Sequence, residues 1–212
     1  MIAGRECAAG DALLAKPAEG RTWVLDVWRG GGQSAQGGQS SEGASSLPIV
    51  LAAAEGSSSN PAEPVQFVDK NGDPVLGMDG KPMLRPAGLE PQMFVDAGQQ
   101  VVERAMFDKE SAAVLDVNFL SQFRQGGAWD AQRIGGSFNP SFVDYATVAI
   151  GIYDASAGHP LDSSLSLQNF YARLFSNFGA AQLDQTYTYL RAASVWNTKL
   201  GYELVRSGSL SR

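Results

Sequence analysis

Pro140-Ser141-Phe142-Val143-Asp144-Tyr145-Ala146-Thr147-Val148-Ala149-Ile150-Gly151-Ile152-Tyr153-Asp154-Ala155-Ser156-Ala157 is the most apolar stretch of the chain. Phe142, Tyr145, Ala146, Ala149, Ile150, Ile152 and Tyr153 cover most of the circumference at helical spacing, which predicts a central helix over residues 141–157 that is buried on nearly every side. Pro140 opens it. Gly158-His159-Pro160 ends it, with Gly at a C-cap position and Pro blocking continuation.

Working outward, Asp162 is predicted as the N-cap of a helix over 163–177, which carries Leu165, Leu167, Phe170, Leu174 and Phe178. Residues 183–190 and 194–205 are expected to be two further helices. On the other side, 95–106 and 109–123 show helical periodicity, the second through Val114, Leu115, Val117, Phe119 and Leu120. Gln125-Gly126-Gly127 and Gly135-Gly136 are the breaks between these helices and the central one.

Before residue 91 the texture changes. Asn71-Gly72-Asp73-Pro74-Val75-Leu76 is echoed eight places later by Asp79-Gly80-Lys81-Pro82-Met83-Leu84. Each Asn-Gly or Asp-Gly pair suits a tight turn, so a small irregular β-hairpin is expected. Asp69-x-Asn71-x-Asp73 imitates the start of a calcium loop, but Pro74 and Gly80 stand where that loop needs Gly and Glu, and turn chemistry is the better explanation. Residues 21–28 are predicted as a short strand. Of the 17 residues 30–46, 14 are Gly, Ser or Gln, the composition of a flexible tether, and an apolar island follows at 47–54. The expected fold class is mainly α: a compact helical C-terminal domain (91–212), a turn-rich β-hairpin element (61–90) and a flexible Gly/Ser/Gln-rich leader (1–60).

Composition narrows the function. The net charge is −6, with 44% hydrophobic and 18% charged residues. Residues 1–90 carry 11 acids and 7 bases and residues 91–212 carry 11 and 9, so neither part is basic and no Lys/Arg cluster offers phosphates a surface. That argues against a nucleic-acid partner. No run approaches the roughly 18 apolar residues of a membrane span. The N-terminus lacks a basic segment followed by an apolar one, so no standard signal peptide is expected. A lone Cys7 and a lone His159 rule out Cys-rich and His-rich metal sites, and neither a metal nor a cofactor is expected. Nucleophile elbows, phosphate loops and dinucleotide fingerprints are absent.

Two groups of residues could carry chemistry. The first is the loop Gly126-Gly127-Ala128-Trp129-Asp130-Ala131-Gln132-Arg133, which places an aromatic, an acid and a base between paired glycines; alternatively, Trp129 plugs the core and Asp130 caps a turn. The second is Asp144, Tyr145, Asp154 and His159. Asp144 and Asp154 are ten residues apart, about 15 Å along a helix, too far to share a proton. Asp144 suits the helix dipole and becomes catalytic only if it faces Asp130 across a cleft. His159 could serve as a general base or could bond the last carbonyls of the helix.

Residues 119–175 resemble the polymorphic toxin type 44 family, the C-terminal toxin domains of bacterial antagonism proteins. The resemblance is carried by Phe119-Leu120, Gly126-Gly127-Ala128-Trp129-Asp130, Phe138-Asn139, the apolar segment 146–151 and Ala157-Gly158. Gln132 and Arg133 stand where the family tends to have Lys, and Tyr145-Ala146 where it tends to have Tyr-Gly. The resemblance implies a secreted antibacterial effector, moved into a target bacterium (periplasm or cytoplasm) by a delivery module and neutralised by a cognate immunity protein.

Three functions follow. The first is a hydrolase of envelope glycan or peptidoglycan, with Asp130 as general acid or base, Arg133 stabilising negative charge, Asp144 as second carboxylate and His159 as alternative base; Trp129, Asn139 and Tyr145 would bind substrate. The second is an RNase using His159 and Arg133. The third is a non-enzymatic structural or adaptor module of a phage-tail-like or secretion apparatus, its aromatic-rich helices forming a partner interface.

Overall fold

Asn139 starts the central element: its side-chain Oδ1 accepts the N–H of Ser141 at 3.0 Å and opens a 3-10 turn, Pro140–Phe142, that runs into helix α3, Val143–Ser156. A computed structural model describes residues 60–175 and 184–210. Among them the fold is mainly helical with a small two-stranded antiparallel sheet, as expected. Tyr145, Val148, Ala149, Ile152 and Tyr153 have no solvent exposure, so α3 is the buried helix its composition predicts. It ends in a Schellman motif. Gly158 is at φ 76°, its N–H reaches the carbonyl of Ala155 at 3.3 Å, and the N–H of His159 reaches that of Asp154 at 2.9 Å.

Helices α1 (Pro91–Phe107) and α2 (Lys109–Gln122) form a hairpin joined at Asp108, whose Oδ1 accepts the N–H groups of Glu110 and Ser111 and caps α2. Helix α5 (Ala192–Arg206) lies against α3 at a separation that only glycine permits. A Cβ on Gly151 would stand 2.3 Å from the Thr198 carbonyl oxygen, and one on Gly201 2.4 Å from that of Val148. Gly98 does the same for α1, where a Cβ would meet the Ala157 nitrogen at 2.6 Å. Two helices, α1 and α5, are thus brought close to α3 by the absence of side chains at the crossings.

The eight-residue echo folds into something more closed than a hairpin. Strands β1 (Pro64–Gln66) and β2 (Leu84–Pro86) pair antiparallel, with Val65 opposite Arg85, and bridges join Val68 to Pro74 and Leu76 to Pro82. Phe67, Val75 and Met83, eight apart, bond in a ring: Val75 N–H to Phe67 O (2.9 Å), Met83 N–H to Val75 O (2.8 Å) and Phe67 N–H to Met83 O (2.9 Å). All three side chains are buried and belong to the same core as the helices. Asp69 Oδ1 accepts the N–H groups of Asn71 and Asp73, so that carboxylate is occupied by its own turn.

Helix α4 (Leu161–Phe175) begins two residues earlier than predicted. Asp162 is therefore in its first turn rather than at the N-cap, and its Oδ1 accepts the hydroxyl of Tyr187 at 3.3 Å. Residues 184–190 are turns, not a helix, because Asp184 Oδ1 binds the N–H groups of Thr186 and Tyr187 and bends the chain locally. The large core draws on the β element, α1, α2, α3 and the end of α5. A second, smaller cluster holds Leu165 and Ala172 of α4 with Leu190 and Val195. No helix among the described residues is long and apolar enough to cross a membrane. The predicted strand 21–28, tether 30–46, island 47–54 and the side chain of Phe178 lie outside the described residues.

Candidate functional site

The Gly126–Arg133 loop is a turn built to insert Trp129. A Cβ on Gly127 would stand 2.2 Å from the Gln122 carbonyl oxygen, and Gly126 is at φ 77°, so both glycines are required by the backbone path. Trp129 is buried, stacked on Phe119 (centroids 5.3 Å apart, 12° between planes) and edge-on to Phe94 at 5.4 Å. Of its two readings, substrate contact and core plug, the packing agrees with the plug: four aromatic neighbours hold Trp129 where its large apolar area is best satisfied.

Asp130 is buried beneath this loop. Its Oδ2 accepts the N–H of Gly126 at 2.8 Å and is met by Arg133 Nη1 at 3.1 Å. Asp130 therefore closes the turn and orients Arg133, whose guanidinium lies 5.4 Å from the ring centroid of exposed Phe138. Phe138, Asn139, Ile134 and Ser137 line a shallow depression of about 330 Å3. Asn139 thus reaches a surface, although its side-chain oxygen is engaged by the Ser141 cap.

Asp144 is fastened to a different element. Its Oδ1 accepts Asn197 Nδ2 at 2.9 Å, tying the first turn of α3 to α5. Its bonded partner is thus Asn197, whereas those of Asp130 belong to the Gly126–Arg133 loop. Tyr145, also expected to touch substrate, is fully buried and donates its hydroxyl to the Leu89 carbonyl at 2.7 Å; burial pushes its phenol far above the ordinary value.

The densest polar constellation is centred on His159. Nδ1 lies 2.8 Å from Asp154 Oδ1 and Nε2 3.1 Å from Asp116 Oδ2. Asp116 Oδ1 also accepts the Tyr153 hydroxyl at 2.6 Å, and Asp154 Oδ2 accepts the hydroxyl of Ser164. Gln168 Nε2 donates to Ser164 Oγ at 3.1 Å, extending the network along α4. Both aspartates are buried, at 4% and 2% exposure, whereas the imidazole is 22% exposed. Burial lowers the imidazole pKa, but hydrogen bonds to the Asp116 and Asp154 carboxylates and their charges outweigh it and push it up to about 10. His159 is therefore an imidazolium at neutral pH with both ring N–H groups committed.

Chemically this is an ion-pair clamp. A general base needs a free lone pair, which a doubly donating imidazolium lacks. Nor is it a Ser-His-Asp relay, since the Ser164 hydroxyl is bonded to Asp154 and not to the imidazole. The carboxylates meet opposite ring nitrogens rather than converging on a point, and no group of three or more metal-ligating side chains is placed to hold an ion among the described residues.

Asp116 was not among the candidates from sequence, although a signal existed. Ala112, Asp116 and Phe119 share the buried stripe of α2, and an acid on an apolar stripe is the informative exception to burial patterns. Ser164 carried no such signal. No family model, curated protein or solved structure matches the chain.

Proposed function

We propose that residues 60–210 form a non-enzymatic protein-binding module, the structural or adaptor reading of the sequence. The observation that carries it is the outer face of α4, where Leu167, Phe170 and Leu174 are 38%, 43% and 56% exposed. Their i, i+3, i+7 spacing makes them one apolar stripe, flanked by Tyr189 beneath the Arg173 guanidinium. The groups that could run acid–base chemistry are meanwhile engaged: Asp130 by Gly126 and Arg133, Asp144 by Asn197, His159 by two aspartates. A protein presenting an apolar helix or edge is the ligand chemistry such a stripe fits. In the toxin context implied by the resemblance, that partner is the delivery module or the cognate immunity protein.

A second reading keeps the hydrolytic effector. It is favoured by the depression beside Arg133, where an oriented guanidinium, an exposed ring and the Asn139 segment lie together. Expression of the chain with and without a periplasmic export signal separates the two. A binding module is harmless in both compartments. Growth arrest in either that is abolished by Arg133→Ala, in a variant that remains folded, would establish the effector instead.

A further inference from the structure

We infer that α4 is a latched element that opens from α3 independently of the rest of the domain, with Ser164 as the latch on Asp154. Three observations carry this. Among the described side chains of α4 none belongs to the large core; the buried apolar ones, Leu165 and Ala172, pack in the small cluster with Leu190 and Val195. Its tie to α3 is polar, the Ser164 hydroxyl on Asp154 Oδ2 with Gln168 behind it. Its opposite face is exposed at Leu167, Phe170 and Leu174. An element that contributes little apolar burial and is fastened by hydrogen bonds opens at a lower free energy than the element it rests on.

Opening has a defined chemical result. Asp154 keeps His159 through Oδ1, because that contact is made within the α3 turn, but loses the donor on Oδ2. A buried carboxylate oxygen that loses its donor takes one from water or from another group. Ser164 thus acts as an internal occupant of a hydrogen-bonding position next to the imidazolium, and α4 covers that position when closed. The inference stands whether or not the outer face of α4 binds a protein.

Native-state hydrogen exchange on the full chain tests it. In the unaltered protein the amides of residues 165–173 exchange through a smaller opening free energy than those of 148–153 in α3. Ser164→Ala speeds exchange in 165–173 by about tenfold, the loss of one hydrogen bond to a charged group, and leaves 148–153 unchanged. Equal protection of α4 and α3 in the unaltered protein, or uniform acceleration of both in the variant, overturns the proposal.

Discussion

His159 and Asp154 are joined twice across the turn that ends α3: the backbone N–H of His159 meets the Asp154 carbonyl at 2.9 Å, and Nδ1 meets Oδ1 at 2.8 Å. The Schellman turn thus delivers the imidazole to one carboxylate, and the packing of α2 against α3 brings Asp116 to the other nitrogen. A helix terminus, two buried charges and three helices share one fastening point.

Removing the imidazole leaves two buried carboxylates without their cation. His159→Ala is expected to cost about 3 kcal/mol of unfolding free energy, the lower end for a broken buried ion pair, because the ring retains some solvent contact. Urea unfolding measures this. A loss below about 0.5 kcal/mol, the scale of an ordinary surface substitution, contradicts the clamp.

The same clamp has a pH signature with a definite sign. The folded pKa is raised to about 10 from an unfolded value of 6.5. Its stabilisation is therefore complete below pH 6.5, declines above it and is gone once pH passes the folded pKa. The stability difference between the unaltered protein and His159→Gln should shrink steadily between those two values. A difference that stays constant across that window contradicts the assignment.

Gly201→Ala tests the close crossing of α3 and α5. Its new methyl would stand 2.4 Å from a backbone oxygen, which cannot rotate away, so the helices must separate. A loss of about 2 kcal/mol or more is expected despite the better helix propensity of Ala. A gain in melting temperature would show that the crossing is looser than described.

Phe170→Glu with Leu174→Glu alters only exposed positions of α4. Unfolding free energy should change by less than about 0.5 kcal/mol per site. Association with the cognate partner, measured by calorimetry, should be lost under the binding-module proposal. Full affinity in the double variant would move the interface elsewhere.

What could be read from sequence followed the strength of the periodic signal. α3 was legible because its apolar residues surround the helix, and Gly158 marked its end. The turn at 184–190 was not, since Leu190 and Tyr187 look like helical apolar residues while Asp184 captures the backbone locally. The echo at residues 71–84 was visible, but its three-fold closure depends on Phe67, which lies before the repeated motif. Among candidate site residues, Trp129 and Tyr145 have aromatic side chains equally suited to a substrate surface and a core, and burial decided between them. Asp130 and Arg133 stand three apart in one loop and bond to each other there, while the role of His159 depends on Asp116, 43 residues away in sequence and brought near only by tertiary packing.

On this structure the sole histidine is a structural cation rather than a catalytic base. Because the chain contains one histidine, its imidazole nitrogens give an unambiguous signal in a long-range 1H–15N correlation spectrum recorded across pH. Both ring nitrogens are expected to be protonated at neutral pH, with titration up near 10. A single neutral tautomer at pH 7.5, titrating near the ordinary value of about 6.5, would contradict it and return His159 to the candidates for catalysis.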